Sequence, residues 1–476
     1  MKTNSDEMHN QEMLLKKIRQ SSEVFDKLAN SYEVWVPESG WLAGRRNRDK
    51  NDSKRKNLTD WSILSFLLEI DNCHYPMADS YLQYGIDGVI RIAAETLETL
   101  KNNLQSELQD QTQLDIAYLE SLLHVWKRFR QFVADHMVLA LECAKQETSD
   151  TKKKRYEKIA KICQNLTINK PNTFCEALQL FWFTYLFRSP FGAGCIGRLD
   201  QLLYPFYKHD CEMGIWDQQE AEKMLEEMFT RMNEINTGDT LRNLMLSGQD
   251  AKGNDQTNEI TYLILVAYEN TGGSEPHLNV RFHEKTPKKL RDNCINMLSS
   301  GSGQPTIYFD EAVLPAMEKA GICHEDACQY ANDGCTETVI AGKSAIVFWQ
   351  YEMVKTVELT LFGGNENPCV KPVSMKKNSI HGADFVPKTN LLIGIESKKP
   401  QELTTFSEFL SAFFEQMDHQ LDHYFLMIKQ KMQEDQTVSI TSPFTAGTLR
   451  NVCVPEKIRF AEVALISLII SCFQEA

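Results

Sequence analysis

Leu278-Asn279-Val280-Arg281-Phe282, followed by Gly301-Ser302-Gly303-Gln304-Pro305 and Thr306-Ile307-Tyr308-Phe309, is the stretch on which the fold turns. Both apolar segments alternate with a period of two, the pattern of β-strands, and a glycine, serine and proline turn precedes the second. Between them, Pro287 to Leu298 reads as a helix capped by Thr286, with proline at its first position. Strand, helix and strand in that order predict a parallel βαβ unit. A further helix is expected after Asp310, ending at Gly321, and another from His324 or Glu325 into Tyr330. Asn332-Asp333-Gly334-Cys335-Thr336-Glu337-Thr338 would then come directly off a helix end.

That polar segment sets a cysteine two residues before a carboxylate, behind a glycine turn. In extended chain, residues i and i+2 point the same way, so Cys335 and Glu337 would face one pocket. Thiolate nucleophiles are prepared by an imidazole or a cation, whereas a neighbouring carboxylate raises the thiol pKa. The nearest histidine in sequence, His324, is eleven residues away, which leaves a plain thiol-dependent hydrolase a weak reading. The pair suits a sulfur that takes a hydrogen atom as a neutral radical, while Glu337 separately moves a proton.

Upstream the chain reads as helices. Leu119, Leu122, Trp126, Phe129, Val133 and Met137 recur at helical spacing and predict a long core-facing helix over Leu114–Lys145. Thr173 through Leu186 predicts a second, apolar on all sides and therefore buried, with Asn172 or Thr173 as cap and Glu176 completing a capping box. Lys152-Lys153-Lys154-Arg155 reads as solvated surface between helices. Asp250-Ala251-Lys252-Gly253-Asn254-Asp255 starts like a calcium loop, yet Thr261 stands where a bidentate Glu is required, so a plain turn is expected. The polar start through Ser53 and the stretch Lys371–Lys388 read as linkers.

Composition limits the function classes. At 42% hydrophobic and 24% charged, the 476 residues can bury a substantial core. A formal charge of −14 disfavours a nucleic-acid partner, because phosphate attraction needs clustered Lys and Arg. Met1 to Glu7 has no apolar signal core, and Val463–Phe473 is far shorter than the roughly 20 residues of a membrane span. Neither export nor membrane insertion is expected. The 13 cysteines include no C-x-x-C pair, which suits reduced thiols in a cytoplasmic compartment. His419 and His423 share a helix face, but Gln420 stands where a zinc protease has Glu, so no metal site is expected.

Gly334-Cys335-Thr336-Glu337 resembles the Gly-Cys-x-Glu loop of the glycyl radical enzymes, the pyruvate formate-lyase-like superfamily. Thr173 to Gln179, Gly197-Arg198-Leu199-Asp200-Gln201 to Pro205, Asn279 to Phe282, Gln304 to Asp310 and Gly321 to Ala327 resemble successive landmarks of that family, in family order. The resemblance implies a ten-stranded α/β barrel surrounded by helices, with Cys335 forming a thiyl radical and Glu337 acting as base. It also implies the lyase and dehydratase branch; pyruvate formate-lyase itself carries two adjacent cysteines, and Gly334 precedes Cys335 here, so formate C-acetyltransferase-type acyl transfer is a lesser alternative. No cofactor is bound in such enzymes, and a separate radical S-adenosylmethionine activating enzyme installs the glycyl radical. The other implied partners are a small-molecule substrate and, in a complete enzyme, a second copy forming a homodimer.

His74, in Cys73-His74-Tyr75-Pro76-Met77-Ala78-Asp79, partly matches a family stretch whose histidine contacts substrate, with a structural surface histidine as the other reading. Tyr351 corresponds to a pocket position or is a core aromatic beside Trp349. Tyr185 stands where diol dehydratases usually show histidine, a departure that argues against a simple glycerol dehydratase. No Arg-Val-x-Gly-Tyr segment occurs in the sequence. The expectation is a polar extension over 1–53, an incomplete catalytic domain over 54–453 lacking much of the barrel's second half, and a divergent tail over 454–476. Such a chain would be inactive alone, or a non-catalytic remnant or partner subunit.

Overall fold

The computed structural model describes residues 4–45, 77–102, 109–188, 195–215, 218–234, 242–272, 275–333, 337–341, 343, 353–365, 394–398, 400–435 and 444. The chain divides into two compact units, Met1–Ile346 with Ile440–Ala476, and Val347–Ser439.

The first unit begins with helices α1 (Asn4–Ser31), α2 (Ser80–Asn102), α3 (Gln109–Gln146), α4 (Asp150–Ile168), α5 (Phe174–Arg188), α6 (Leu199–Met213) and α7 (Gln218–Asn233). The expected helical stripe is the buried face of α3: Leu119, Leu122, Trp126, Phe129 and Val133 lie in the core. Every residue of α5 except Glu176 is buried, as its unbroken apolar character requires. The capping box forms, with Thr173 Oγ1 accepting from Glu176 N and Glu176 Oε2 accepting from Thr173 N, both at 3.3 Å. The basic run Lys152–Arg155 lies within α4 rather than between helices.

The start of the chain is not a linker. Val24, Phe25 and Leu28 of α1 are buried, and Ala43 and Gly44 are stitched to α5. Ala43 N donates to Gln179 Oε1 at 2.7 Å and Trp182 Nε1 donates to Gly44 O at 2.8 Å. A few apolar residues at helical spacing are enough to dock a polar helix, which average polarity conceals.

The sheet is built from β1 (Asn243–Ser247), α8 (Glu259–Thr271), β2 (His277–Phe282), α9 (Lys288–Ser299) and β3 (Thr306–Phe309). Its order is β1-β2-β3, all parallel, with Leu244 opposite Leu278 and Val280 opposite Ile307. The expected βαβ unit is therefore present. Gly197 adds a parallel bridge to Leu244. Thr286 does not cap α9; its hydroxyl accepts from His283 N at 2.7 Å and closes the turn before Pro287. The Asp250 segment is a turn in which Asp250 Oδ1 accepts from Lys252 N and Asn254 N, each at 2.8 Å.

Helix α10 (Asp310–Lys319) ends at Gly321, whose φ is +94°. The helix expected into Tyr330 is a single turn, α11 (His324–Ala327). Beyond Tyr330 the chain becomes a strand: β4 (Ala331–Asp333) pairs antiparallel with β5 (Glu337–Val339). The Cys335 segment thus joins two paired strands instead of leaving a helix end.

The second unit contains α12 (Met353–Leu361) and α13 (Phe406–Asp435), joined by Thr356 Oγ1 donating to Gln420 Oε1 at 2.9 Å. Gln416 bonds both backbone groups of Ile395, at 3.1 and 2.6 Å. Gly364 has a φ of +87°, and a Cβ there would lie 1.8 Å from Ile395 O, so no side chain is accommodated. The stretch Lys371–Lys388 and residues 454–476 lie outside the described residues. Among the described residues no helix is long and apolar enough to cross a membrane.

Candidate active site

The β4–β5 hairpin is the centre of the site. Its register places Ala331 opposite Val339, Asn332 opposite Thr338 and Asp333 opposite Glu337. Asn332 and Asp333 are fully buried and Glu337 is 7% exposed. Gly334, Cys335 and Thr336 join these strands along the chain and lie outside the described residues, as do His74 and Tyr351.

Two sets of bonds hold β4. One comes from β1 and the segment before α6: Asn332 Nδ2 donates to Asn243 Oδ1 at 2.9 Å, and the Cys195 thiol donates to Asn332 O at 3.0 Å. The other fixes the chain just before β4. Arg281 Nη1 donates to Cys328 O at 2.9 Å and Tyr330 O at 3.3 Å, and Arg198 Nη1 donates to Cys328 O at 3.3 Å.

Arg281 is itself fully determined. Its Nε and Nη2 donate to Asp310 Oδ1 and Oδ2, both at 2.9 Å, with neither side chain exposed. A two-pronged pair of this kind fixes the plane of the guanidinium. Tyr330 lies under it, ring centre 4.0 Å away, and its hydroxyl donates to Asp310 Oδ1 at 2.9 Å. Gly248, φ +98°, lets the backbone pass close by, since a Cβ there would stand 2.4 Å from Arg281 Nε. Gln249 N completes the shell of Asp310 at 3.0 Å.

Arg198 donates to Ser247 O at 2.8 Å. Burial lowers its pKa to about 10, with Arg281 adding to the effect and Asp200 and Asp310 opposing it. Burial raises the carboxyl of Asp200, which Arg198 and bonds from Ser247 N and the Thr261 hydroxyl counter. The Tyr330 phenol is pushed well up by burial, against Arg281. Arg198, Asp200, Arg281 and Asp310 belong to the quoted landmarks, yet their role as supports was not read from the sequence. The available signal was Arg281 itself, a charge inside a strand buried on both faces, where only a paired charge is tolerated.

A cavity of about 40 Å³ lies at the root of the hairpin, lined by Met77, Ala78, Arg198, Ala331, Ile340 and Ala341 among others. Met77 and Ala78, from the same stretch as His74, therefore line one cavity with Ala331 of β4 and with the chain just after β5. Tyr185 lies in the helical part of the unit, buried in α5 with ring centres of Phe181 and Trp182 at 6.2 and 6.1 Å. His419 and His423 lie on α13 with ring centres 6.1 Å apart, and no cluster of metal-binding side chains occurs among the described residues.

One thiol does meet an imidazole. Cys328 Sγ is 3.6 Å from His324 Nε2, and His324 Nδ1 is 2.5 Å from Glu318 Oε1. Burial raises the Cys328 thiol, and the side chain is fully covered, so this line of groups does not prepare a thiolate nucleophile.

Residues 72–439 match the family model described as pyruvate formate lyase-like. The chain belongs to the pyruvate formate lyase-like family of glycyl radical enzymes. Among members, it is 31% identical over 301 residues to trans-4-hydroxy-L-proline dehydratase of Clostridioides difficile, covering 60% of this chain and 36% of that one. It is 28% identical over 333 residues to isethionate sulfite-lyase of Oleidesulfovibrio alaskensis, covering 65% and 37%. The chain thus spans about a third of the length of these curated relatives. In fold it is similar to the hydroxyproline dehydratase of C. difficile, with a TM-score of 0.72 at 20% identity over 95% of this chain and 65% of that one. Glycerol dehydratase of Clostridium butyricum gives 0.71 at 19% identity, over 96% and 67%.

Proposed function

We propose that the protein is a radical lyase or dehydratase, in which Cys335 as a thiyl radical takes a hydrogen atom from a substrate carbon and Glu337 takes the proton of the adjacent hydroxyl. The observation that carries this reading is the hairpin: a buried carboxylate paired across from Asp333, on strands joined through Gly334-Cys335-Thr336 and anchored by Arg281, Arg198 and Asn243. General-base work needs such a fixed group within reach of one proton. The dehydratase and sulfite-lyase relatives support small substrates with a leaving group, water or sulfite, beside the carbon that loses hydrogen. The parallel strands β1–β3 with the Gly197 bridge are read as part of the ten-stranded barrel wall, and His74, Tyr185 and Tyr351 as groups around the substrate.

The radical on Cys335 would come from a glycine outside the 476 residues, where no Arg-Val-x-Gly-Tyr segment occurs, installed by a radical S-adenosylmethionine activating enzyme. The test supplies the protein with a glycyl-radical domain and an activating enzyme under anaerobic conditions and follows the glycyl doublet by electron paramagnetic resonance. Turnover with wild type, and its complete loss in Cys335→Ser with the doublet retained, is expected. Turnover that survives Cys335→Ser overturns the assignment.

A further inference from the structure

We propose that Glu318 and His324 form a pH-sensitive tie, which holds α11 and the chain leading into β4 closed over Cys328 while the imidazole is protonated and loosens that stretch when the proton leaves. Placement is the first support. α11 is a single turn, His324–Ala327, and its N-cap Cys323 makes no side-chain cap bond. One turn of helix fixes too many torsions for its own bonds to hold, so its position is decided by ties from outside. Such ties come from three sides. His324 Nδ1 lies 2.5 Å from Glu318 Oε1 of α10, Lys343 Nζ after β5 donates to Asp326 Oδ2, and Arg281 and Arg198 donate to Cys328 O. Of the groups in these ties, His324 is the one whose ordinary titration falls near neutral pH.

The surroundings of the ring are the second support. Glu318 presents a carboxylate to Nδ1, and Cys328 Sγ lies 3.6 Å from Nε2. The Glu318 hydrogen bond holds the imidazole above the ordinary histidine value; burial opposes it, and the Glu318 charge, the Ala251 carbonyl and the Glu325 charge add to it. On α11 itself the acidic neighbours are Glu325 and Asp326, the latter engaged by Lys343. From the turn after β1, Asp250 and Lys252 flank Ala251, and the Asp250 carboxylate accepts from Lys252 N, Asn254 N and Asn254 Nδ2. The sign follows from the raised value: the tie acts in full below about pH 6.5 and is lost as pH rises through the folded-state value. Both side chains are about half exposed, at 47% and 42%, so the tie is modest. Its loss should raise local opening about two- to fivefold.

Opening uncovers a reporter. The Cys328 side chain is sealed, and its carbonyl is the point at which Arg281 and Arg198 hold the chain just before β4. In the full chain, the iodoacetamide alkylation rate of Cys328 is followed over about pH 6–9 by fragment-resolved peptide mass spectrometry. Each rate is divided by that of His324→Gln at the same pH, which cancels the titration of the thiol itself. Wild type is expected to react about two- to fivefold more slowly than His324→Gln at the acid end and to reach the same rate at the alkaline end. Glu318→Gln should meet the His324→Gln rate at a lower pH than wild type does, because a neutral amide no longer favours the imidazolium. A ratio that stays constant across the range overturns the proposal. An unmoved crossover in Glu318→Gln overturns the pairing. Alkylation of wild-type Cys328 no faster than that of Cys163, sealed in α4, overturns it as well, because the stretch would then open only with the whole unit.

Discussion

Two regions of the first unit are equally dry and are held by opposite physics. Between α1, α3 and α5 the rings of Phe25, Trp126, Phe129, Phe187 and Phe444 lie 5.0–5.7 Å apart, an apolar cluster stabilised by burial and ring contacts. Behind the β4–β5 hairpin, Arg198, Asp200, Arg281, Asp310 and Tyr330 fill comparable volume with charge and hydrogen bonds. An apolar cluster tolerates small shifts because its attraction is non-directional. A buried ionic cluster does not, because a lost partner leaves a charge without solvation. The second is thus the better material for holding the β4–β5 pair in one place, at the cost of fragility.

The largest expected effect breaks that fragile side. Arg281→Met removes the partner of Asp310 and the two bonds from Arg281 to the chain before β4, and should destabilise by about 3–5 kcal/mol in urea titration. The double variant Arg281→Met with Asp310→Leu should recover part of this, since no buried charge is left alone. A loss under about 1 kcal/mol for Arg281→Met would place the cluster among ordinary surface pairs and erase the contrast between the two regions.

The aromatic side contains one titratable group that sharpens the comparison. His136 of α3 is buried against Phe132 and Phe183, ring centres 4.5 and 5.0 Å away, and its Nδ1 lies 2.8 Å from Phe132 O. Burial lowers its pKa to about 4. The unfolded chain, with an ordinary histidine near 6.5, binds the extra proton first as pH falls. The stability of the neutral imidazole is therefore complete above about 6.5 and is lost between there and about 4. Wild type minus His136→Phe should show a drop of about 3 kcal/mol across that window by chemical denaturation. A flat difference would mean that the cluster admits water.

How much of this was legible in the sequence depended on whether the cause was local. The βαβ order, the α3 stripe and the buried character of α5 were readable because periodicity and capping act within one element. The Cys335-Glu337 spacing was readable for the same reason. Tertiary causes escaped reading: the single turn α11 where a helix into Tyr330 was expected, the pairing of β4 with β5, the docking of α1, and the supporting roles of Arg281 and Asp310. Their partners are distant in sequence, Asn332 bonding Asn243 and Arg281 bonding Cys328. Pattern within a window carries no trace of such partners, and a three-residue strand has too few positions to show a period.

The smallest expected effect separates local from tertiary causes at one helix start. Thr173 caps α5 from within the sequence, but Phe174 N is bound by Asp210 Oδ2 from α6 at 2.7 Å, fully buried. Asp210→Ala strips a buried donor of a charged acceptor and should cost about 1.5–3 kcal/mol. Thr173→Ala should cost about 1 kcal/mol, because Glu176 Oε2 still receives Asn172 N at 2.8 Å and only one hydroxyl is lost. Thermal unfolding of the two variants side by side checks the order. Should Thr173→Ala prove the costlier, the start of α5 is set by its own sequence, and the polar contacts between helices contribute less than the geometry around Asp210 implies.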